Sequence, residues 1–378
     1  MTASFVALPA GAAPTDPAEI ERRLATEGAP LVDMLPSGGA EVTFVWRDAK
    51  EKAVSLRWPS FLPQGSNVLV PIPGSNLRTR TVVVPAGTRM SYRFLVDPKS
   101  SGWTDTEAAS RRDPLNPHFW LQGDWEEAST LDLPDAPPLP YRDPRADVPH
   151  GKVTSAVLSS KALASARTVR LYMPPGSARP RWLLIAFDGE GYLTRHKLPV
   201  VLDAMIADRV IPPIAALFVN SADRMKELMC LPANAAMVAD ELLPWAAKHG
   251  ADIPPKRRIL TGVSLGGLAS ACAVLDRPER FGGVIAQSGS FWWNAGAGTN
   301  GVSARIADTP KQDVRWHLSA GQMEGGAPIG ILENSRILRD ALAAKGYRVS
   351  LNELAGGHDW YSWSADFPDA LRSMIAAE

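Results

Sequence analysis

RILTGVSLGG, residues 258–267, is the stretch of this sequence that constrains its fold most strongly. Its apolar first half predicts a β-strand, and the run at 265–275, rich in alanine and leucine, predicts a helix that Asp276-Arg277-Pro278 ends. The junction between them reads G-x-S-x-G, with Ser264 at its centre. At such a junction the flanking glycines leave room for a tight turn that exposes the serine hydroxyl above the sheet. We therefore predict that Ser264 is a nucleophile.

Strand and helix patterns alternate on both sides of this stretch. Apolar strands joined by amphipathic helices are typical of a mostly parallel sheet that helices cover on both faces. The pattern begins after Gly151 and predicts an α/β fold of the α/β-hydrolase type. The predicted strands are 153–158, 168–173, 182–187, 214–219, 258–263, 283–287, 314–320 and 348–354, and the predicted helices are 198–209, 235–249, 265–275, 329–345 and 367–377.

The chain before residue 133 follows a different pattern. A short amphipathic helix at 18–27 precedes β runs at 42–46, 53–56, 81–84 and 90–96, which turn residues separate. Short strands at this spacing predict a small β-sandwich of immunoglobulin-like type. Prolines are dense from 133 to 150, as in linkers. We predict an N-terminal helix and β-sandwich domain (1–132), a proline-rich linker (133–150) and an α/β-hydrolase catalytic domain (151–378).

Composition narrows the functional classes. Lysine plus arginine equals aspartate plus glutamate, 40 of each among 378 residues, so the basic excess of a nucleic-acid-binding protein is absent. No apolar run is long enough to cross a membrane, and residues 1–14 lack the basic start and continuous apolar stretch of a secretory signal. The two cysteines, Cys230 and Cys272, predict no disulfide framework and fit a reducing compartment. We predict a cytoplasmic protein that binds neither nucleic acid nor membrane; the sequence leaves its oligomeric state open.

A serine hydroxyl needs a base, and His358 is the predicted one. It stands in GGHDW, residues 356–360, after the last predicted strand, and loops at the carboxyl ends of strands in an open α/β sheet share one rim. Glu324, just past the strand at 314–320, is the predicted acid that orients the imidazole. Asp359 is a weaker candidate because it is adjacent to His358, and a Ser–His dyad without an acid is the other alternative.

An oxyanion hole needs two backbone N–H groups that converge on the substrate oxygen. Leu265, directly after the predicted nucleophile, supplies the first. The loop after the strand at 182–187 supplies the second, with Gly189 as the first choice and Gly191 as the alternative. Metal-ligand spacings such as H-x-H, C-x-x-C and H-E-x-x-H do not occur, so we predict no metal site.

The motifs taken together resemble those of the enterochelin (enterobactin) esterase family. The resemblance covers most of the chain and rests on TFVWRD at 43–48, DPLNP at 113–117, DGE at 188–190, RMKEL at 224–228, GVSLGG at 262–267, QSGSFWW at 287–293 and GGHD at 356–359. It implies a cytoplasmic serine hydrolase that cleaves the lactone bonds of a catecholate siderophore so that iron is released. By the resemblance, Ser264, Glu324 and His358 fall on the catalytic positions of the family, and the first domain, 1–132, binds substrate by forming part of its cleft.

Such a substrate would be anionic and aromatic, so its pocket should combine cations with rings. Arg224, Arg195, Trp292 and Trp293 are the candidates for substrate binding. No organic cofactor is implied, and iron would arrive only with the siderophore. Two departures from the family, Leu231-Pro232 after RMKEL and Gly191-Tyr192 after DGE, suggest a different preferred siderophore. The rival functions are a serine esterase or acyltransferase acting on carbohydrate or aryl esters, and a catalytically silent binding protein.

Overall fold

The computed structural model describes residues 16–36, 38–48, 50–57, 67–121, 127–293, 301–326 and 330–376. The chain forms two compact units. The β-rich unit comprises Met1–Pro138, Gly321–Gly330 and Leu354–Ser362, and the α/β unit comprises Leu139–Ala320, Ile331–Glu353 and Trp363–Glu378. The region predicted as one catalytic domain, 151–378, therefore contributes two segments to the β-rich unit. Residues 1–14, which lack the sequence features of a secretory signal, lie outside the described residues.

Two antiparallel sheets build the β-rich unit. One has the strand order β1-β2-β5-β4 and the other β3-β6-β9-β8, with β7 beside β6. Side chains from both sheets share one core, in which the rings of Phe44 and Tyr92 meet edge to face with centroids 4.7 Å apart. The elements are α1 (Pro17–Glu27), β1 (Leu31–Met34), β2 (Ala40–Arg47), β3 (Val54–Arg57), β4 (Val70–Pro71), β5 (Leu77–Val84), β6 (Arg89–Val96), α2 (Trp103–Ala109), β7 (Ser110–Arg111), β8 (Phe119–Leu121) and β9 (Glu127–Asp132).

An eight-stranded sheet forms the centre of the α/β unit, and all the strands predicted after Gly151 are present in it. Its order is β10-β11-β13-β12-β14-β15-β16-β17. The pairs from β13 through β12, β14 and β15 to β16 are parallel, whereas β11 pairs antiparallel with β10 and β13. The strands are β10 (Lys152–Ser160), β11 (Ser165–Met173), β12 (Trp182–Phe187), β13 (Ile214–Val219), β14 (Arg258–Val263), β15 (Gly283–Gln287), β16 (Arg315–Gly321) and β17 (Val349–Leu354).

Helices join the parallel strands. Every residue of β12 and β13 is buried, so both faces of the sheet are covered there. The predicted helix 235–249 is interrupted by a π-helical turn, Met237–Leu242. None of the described helices is long and apolar enough for a membrane span. The helices are α3 (Gly189–Thr194), α4 (Leu198–Ala207), α5 (Arg224–Glu227), α6 (Pro232–Ala236), α7 (Leu243–Lys248), α8 (Leu265–Asp276), α9 (Gly301–Asp308), α10 (Ile331–Ala344) and α11 (Trp360–Ala376).

The two cysteines form a disulfide, so the prediction of no disulfide framework is wrong. Cys230 lies between α5 and α6, and Cys272 lies in α8. The bridge spans 42 residues of sequence, and the Cα atoms are 5.3 Å apart. The fold of the α/β unit brings them together, and spacing in the sequence gives no signal of such a long-range pairing.

Candidate active site

Ser264 occupies a strained turn between β14 and α8. Its φ of 55° and ψ of −120° lie in a region that non-glycine residues rarely adopt. A methyl group on Gly262 would overlap the backbone of Gly266, so the turn can close only with glycine at this position. The N–H of Ser264 donates to Gln287 O at 2.9 Å, and its own carbonyl accepts from Ser290 N at 3.2 Å. Backbone packing therefore holds the nucleophile elbow that the sequence predicts, with Ser264 partly exposed.

The predicted oxyanion-hole residues both begin helices that follow neighbouring parallel strands. Leu265 starts α8 after β14, and Gly189 starts α3 after β12. The first N–H groups of a helix have no partner within it, so they are free to face a substrate oxygen. The N–H of Glu190 donates to Asn220 Oδ1 at 2.8 Å, and that of Gly191 to Asp188 O at 2.9 Å. The alternative donor, Gly191, is therefore already engaged, which favours Gly189.

Asp188 connects these two turns, a role that the sequence did not reveal. It adopts a left-handed conformation with φ of 55° at the start of α3, and its Oδ2 lies 3.0 Å from the position that a Cβ of Gly266 would take. Arg224 binds it with two hydrogen bonds, from Nε to Oδ1 and from Nη2 to Oδ2, both 2.8 Å long. The guanidinium predicted to bind substrate thus holds the carboxylate beside the nucleophile turn. The D-G-E at 188–190 and an arginine far along the chain carry no spacing signal for this pair.

Glu324 and His358 meet in the β-rich unit. Glu324 ends a 3₁₀ turn after β16 and is fully buried, whereas the side chain of His358 is 26% exposed. Glu324 Oε1 lies 2.5 Å from His358 Nδ1, and Oε2 accepts from the N–H of Gly321 at 2.5 Å. A carboxylate at Nδ1 favours the tautomer with its proton there, which leaves Nε2 to accept a proton. The structure therefore brings the predicted base and acid together.

Asp359, the weaker candidate for the acid, has a different role in the structure. Its Oδ1 accepts hydrogen bonds from the backbone N–H groups of Tyr361 and Ser362, at 3.0 and 3.3 Å, and the side chain is buried. It thereby caps the N-terminus of α11, and Glu324 takes the position at His358. An aspartate directly before a predicted helix start is the signal that could have identified this cap, but the predicted helix began too late, at 367.

The predicted substrate-binding residues of the α/β unit have unequal surroundings. Trp292 is 43% exposed and presents an aromatic surface to solvent. Trp293 is partly buried and packs against the main core of the unit. Arg195 is half-buried at the end of α3, where its N–H donates to Gly191 O at 2.9 Å. Within the described residues no group of three or more His, Cys, Asp or Glu side chains is arranged to hold a metal ion.

Comparison with known families shows which family the chain belongs to. The model of the Esterase family matches residues 160–374, more than half of the chain, and the model described as "Enterochelin esterase, N-terminal" matches residues 41–141. The chain belongs to the enterochelin esterase family. Membership confirms the predicted resemblance and makes the chain a carboxylic-ester hydrolase, as the sequence indicates.

Individual members of the enterochelin esterase family resemble this chain over nearly its whole length. The iron(III) enterobactin esterase of Dickeya dadantii is 29% identical, over 94% of this chain and 92% of its own. The iron(III) salmochelin esterase of Escherichia coli is 27% identical, over 88% of this chain and 86% of its own. The crystal structure of the Shigella flexneri enterobactin esterase FES, in the presence of enterobactin, superimposes with a TM-score of 0.77 at 25% identity and covers 95% of this chain and 98% of FES.

Proposed function

We propose that this protein hydrolyses the ester bonds of a catecholate siderophore of the enterobactin type, ferric or apo, and so releases iron. The observation that carries the proposal is the strained Ser264 turn beside the Asp188-Gly189 loop, in a chain related along its length to iron(III) enterobactin and salmochelin esterases. The turn supplies the reaction class, and the relatives supply the substrate class. Iron belongs to the substrate, and the chemistry requires no cofactor.

The proposed mechanism is acyl transfer through Ser264. His358 accepts the hydroxyl proton at Nε2 while Ser264 Oγ attacks the ester carbonyl, and Glu324 stabilises the imidazolium. The N–H groups of Leu265 and Gly189 bind the oxyanion. His358 then gives its proton to the leaving alkoxide, which departs as the alcohol. A water molecule, deprotonated by His358, attacks the acyl-enzyme and releases the carboxylic acid and Ser264.

The order of elements along the chain supports this triad. Ser264 directly follows β14, Glu324 lies three residues beyond the end of β16, and His358 lies four residues beyond the end of β17. All three strands belong to one sheet, and β14, β15 and β16 are parallel. Ligands of open α/β sheets bind outside the carboxyl ends of the strands, so residues that follow those ends are suited to form one site.

Substrate recognition in this proposal combines charge with an aromatic surface. A ferric tris-catecholate is anionic and offers flat rings, so an exposed tryptophan and neighbouring cations suit it. Trp292 provides the exposed ring and Arg195 the cation. Arg224 contributes mainly through Asp188, because two of its donor nitrogens are bound to that carboxylate. We further propose an immunoglobulin-like topology for the β-rich unit, supported by its two antiparallel sheets over one core.

Product analysis tests the proposal most simply. Wild-type protein and Ser264→Ala are incubated with ferric and apo enterobactin, a glucosylated enterobactin and simple aryl esters, and the products are identified by mass spectrometry. We expect linear and monomeric catecholoyl-serine products from wild type alone. Turnover of aryl esters without turnover of any siderophore would favour the general esterase. Folded wild type that turns over nothing and does not react with a fluorophosphonate would be the silent binding protein.

Location in the cytoplasm and a role in iron acquisition are also proposed, because the proposed product is useful where iron is used. The Cys230–Cys272 disulfide argues against a location in the cytoplasm, because disulfides are rare in the cytosol. Alkylation of thiols in freshly lysed cells, followed by mass spectrometry, distinguishes a cytoplasmic from a periplasmic location. Modified, reduced cysteines in the soluble cytoplasmic fraction support the cytoplasm, and an intact bridge in a periplasmic fraction contradicts it.

A further inference from the structure

The loop that carries His358 is hydrogen-bonded to strand β6 of the β-rich unit through Asp359, the residue that follows the histidine. We propose that Asp359 is a positioning residue that binds this loop to β6 through Ser91, so that the β-rich unit holds the catalytic acid and base in place. The inference rests on the proposed function, because it takes His358 as the base. It assigns the β-rich unit a part in catalysis in addition to the predicted binding of substrate.

Asp359 forms a buried hydrogen-bonded connection between two distant segments. Its Oδ1 accepts from the N–H of Ser91 at 3.2 Å and from the Ser91 hydroxyl at 3.0 Å. Burial raises the pKa of the Asp359 carboxyl to about 6, so the group is mainly ionised and acts as an acceptor above that pH. Hydrogen bonds to an ionised acceptor are stronger than those between neutral groups. The carboxylate therefore fixes the start of α11 on β6.

Further contacts attach the same loop to the same strand. The N–H of Arg89, the first residue of β6, donates to Ala355 O at 2.9 Å. The Ser362 hydroxyl lies between Arg89 O, at 2.8 Å, and Asp359 Oδ2, at 2.6 Å. Because Tyr361 also donates from its hydroxyl to Asp132 at 2.7 Å, the loop is held on both sides of His358.

The loop of the acid is attached to that of the base and to the same core. The N–H of Met323 donates to Gly356 O at 3.1 Å, and the Met323 side chain packs against the core between the two sheets. A methyl group on Gly321 would overlap Gly356 O, so the two loops touch directly. Glu324 and His358 are thus held together within the β-rich unit, and the buried carboxylate of Asp359 is one of the groups that hold them.

Variants at the Asp359–Ser91 connection test the inference in the full-length protein. Asp359→Asn puts an amide group where the carboxylate accepts several hydrogen bonds, and Ser91→Ala removes one donor to it. We expect kcat to fall about tenfold or more for Asp359→Asn and about threefold for Ser91→Ala, with KM within about twofold, because a base displaced by a fraction of an ångström transfers protons poorly. Ser91→Thr keeps the hydroxyl and is expected to restore kcat.

A second readout separates positioning from substrate binding. The rate at which a small fluorophosphonate labels Ser264 depends on the base and does not require siderophore recognition. We expect this rate to fall by the same factor as kcat. Thr43→Val is the matched control, because it removes a buried 2.8 Å hydroxyl contact with Thr81 in the same unit and away from the loop. Thr43→Val is expected to lower the melting temperature and to leave the labelling rate unchanged.

The outcomes separate the inference from the proposed function. If His358→Ala labels and turns over like wild type, the proposed function fails. If His358→Ala is inactive while folded Asp359→Asn and Ser91→Ala keep the wild-type kcat and labelling rate, the inference fails. Should Asp359→Asn not fold, the comparison of Ser91→Ala with Ser91→Thr and Thr43→Val decides. Equal loss of labelling in Ser91→Ala and Thr43→Val would also contradict the inference, because it would show general destabilisation.

Discussion

The two parts of the proposed catalytic machinery are held in different ways. In the α/β unit, backbone contacts and glycines without room for a methyl group fix the Ser264 turn. In the β-rich unit, side-chain hydrogen bonds to the buried carboxylates of Glu324 and Asp359 fix His358. The nucleophile is therefore sensitive to an added atom, and the base is sensitive to a lost hydrogen bond.

The largest effect is expected from Glu324→Gln in the β-rich unit. An amide at His358 Nδ1 favours the wrong imidazole tautomer, so we expect kcat to fall by about 10³- to 10⁴-fold, as in other serine triads. The protein should stay folded, because the amide oxygen can still accept from Gly321. Steady-state kinetics measures kcat, and circular dichroism shows whether the variant is folded.

Glu353→Gln is the matched control for this variant. Glu353 lies in β17 and pairs with Arg336 at 2.6 Å near the surface, so its loss should leave kcat within about twofold. If Glu324→Gln keeps more than a tenth of the wild-type kcat, the acid is not Glu324 and the pair acts as a dyad.

Gly262→Ala tests the α/β side of the comparison. The added methyl group meets the backbone of Gly266, which cannot move without opening the nucleophile turn. We expect the free energy of unfolding to fall by about 3 kcal/mol or more, together with loss of fluorophosphonate labelling. Gly102→Ala is the control, since its methyl group would approach only the Ser100 hydroxyl, at 3.2 Å. Normal stability of Gly262→Ala would contradict the packing argument.

Acidification should act on the two units in opposite directions. In the α/β unit, burial lowers the pKa of His196 to about 3, with a smaller effect from Arg142. Its unfolded pKa is near 6.5, so the unfolded state binds the extra proton between these values. The stabilising effect of neutral His196 is thus complete above about pH 6.5 and is lost as the pH falls. From about pH 7 to about pH 5 the loss is roughly 2 kcal/mol.

The pKa shift of Asp359, in the β-rich unit, has the opposite effect on stability. Its folded pKa of about 6 is above the value near 3.9 of an unfolded aspartate, so the native state binds the extra proton between them. The contribution of protonated Asp359 to the stability of the fold is complete below about pH 4 and is lost as the pH rises through about 6. Urea unfolding of wild type, His196→Phe and Asp359→Asn at the two pH values tests both signs. His196→Phe that loses as much stability on acidification as wild type would contradict the assignment to His196.

A smaller effect is expected from Arg224→Lys. Lysine keeps the charge but cannot form both hydrogen bonds to Asp188, so the loop of Gly189 is less firmly held. We expect kcat to fall about fivefold to tenfold with little change in KM. A rise in KM for siderophores with kcat unchanged would instead indicate direct substrate binding. Arg170→Lys is the control, because its partner Glu190 is 54% exposed, whereas Asp188 is 16% exposed.

Local pattern was sufficient to predict most of the α/β unit. The apolar runs and the GVSLGG turn are encoded within a few residues, so the strands of the sheet and the Ser264 elbow follow from the sequence. The last helix, predicted over 367–377, is longer in the structure. Proline is favoured in the first turn of a helix and disfavoured in its interior, so Pro368 gives no local signal that the helix begins earlier. In the structure α11 begins at Trp360 and contains Pro368.

What the sequence could not predict depends on contacts between distant residues. Ser91 and Asp359 are 268 positions apart, and Cys230 and Cys272 are 42 apart. No local periodicity encodes such pairs, so the disulfide and the attachment of the base to β6 became apparent only in three dimensions. The pairing of Arg224 with Asp188 is a similar case. Because the predicted substrate is anionic, the sequence analysis assigns Arg224 to substrate binding, and nothing in the sequence points to Asp188 as its partner.

A crystal structure of the fluorophosphonate adduct tests the central claim most directly. The phosphonyl group on Ser264 mimics the tetrahedral intermediate, so the base should be seen in its working position. We predict His358 Nε2 within about 3 Å of Ser264 Oγ or of a phosphonyl oxygen, with Glu324 still bound at Nδ1. An adduct in which His358 stays beyond hydrogen-bonding distance of both would show that the base on the β-rich unit does not serve the nucleophile on the α/β unit.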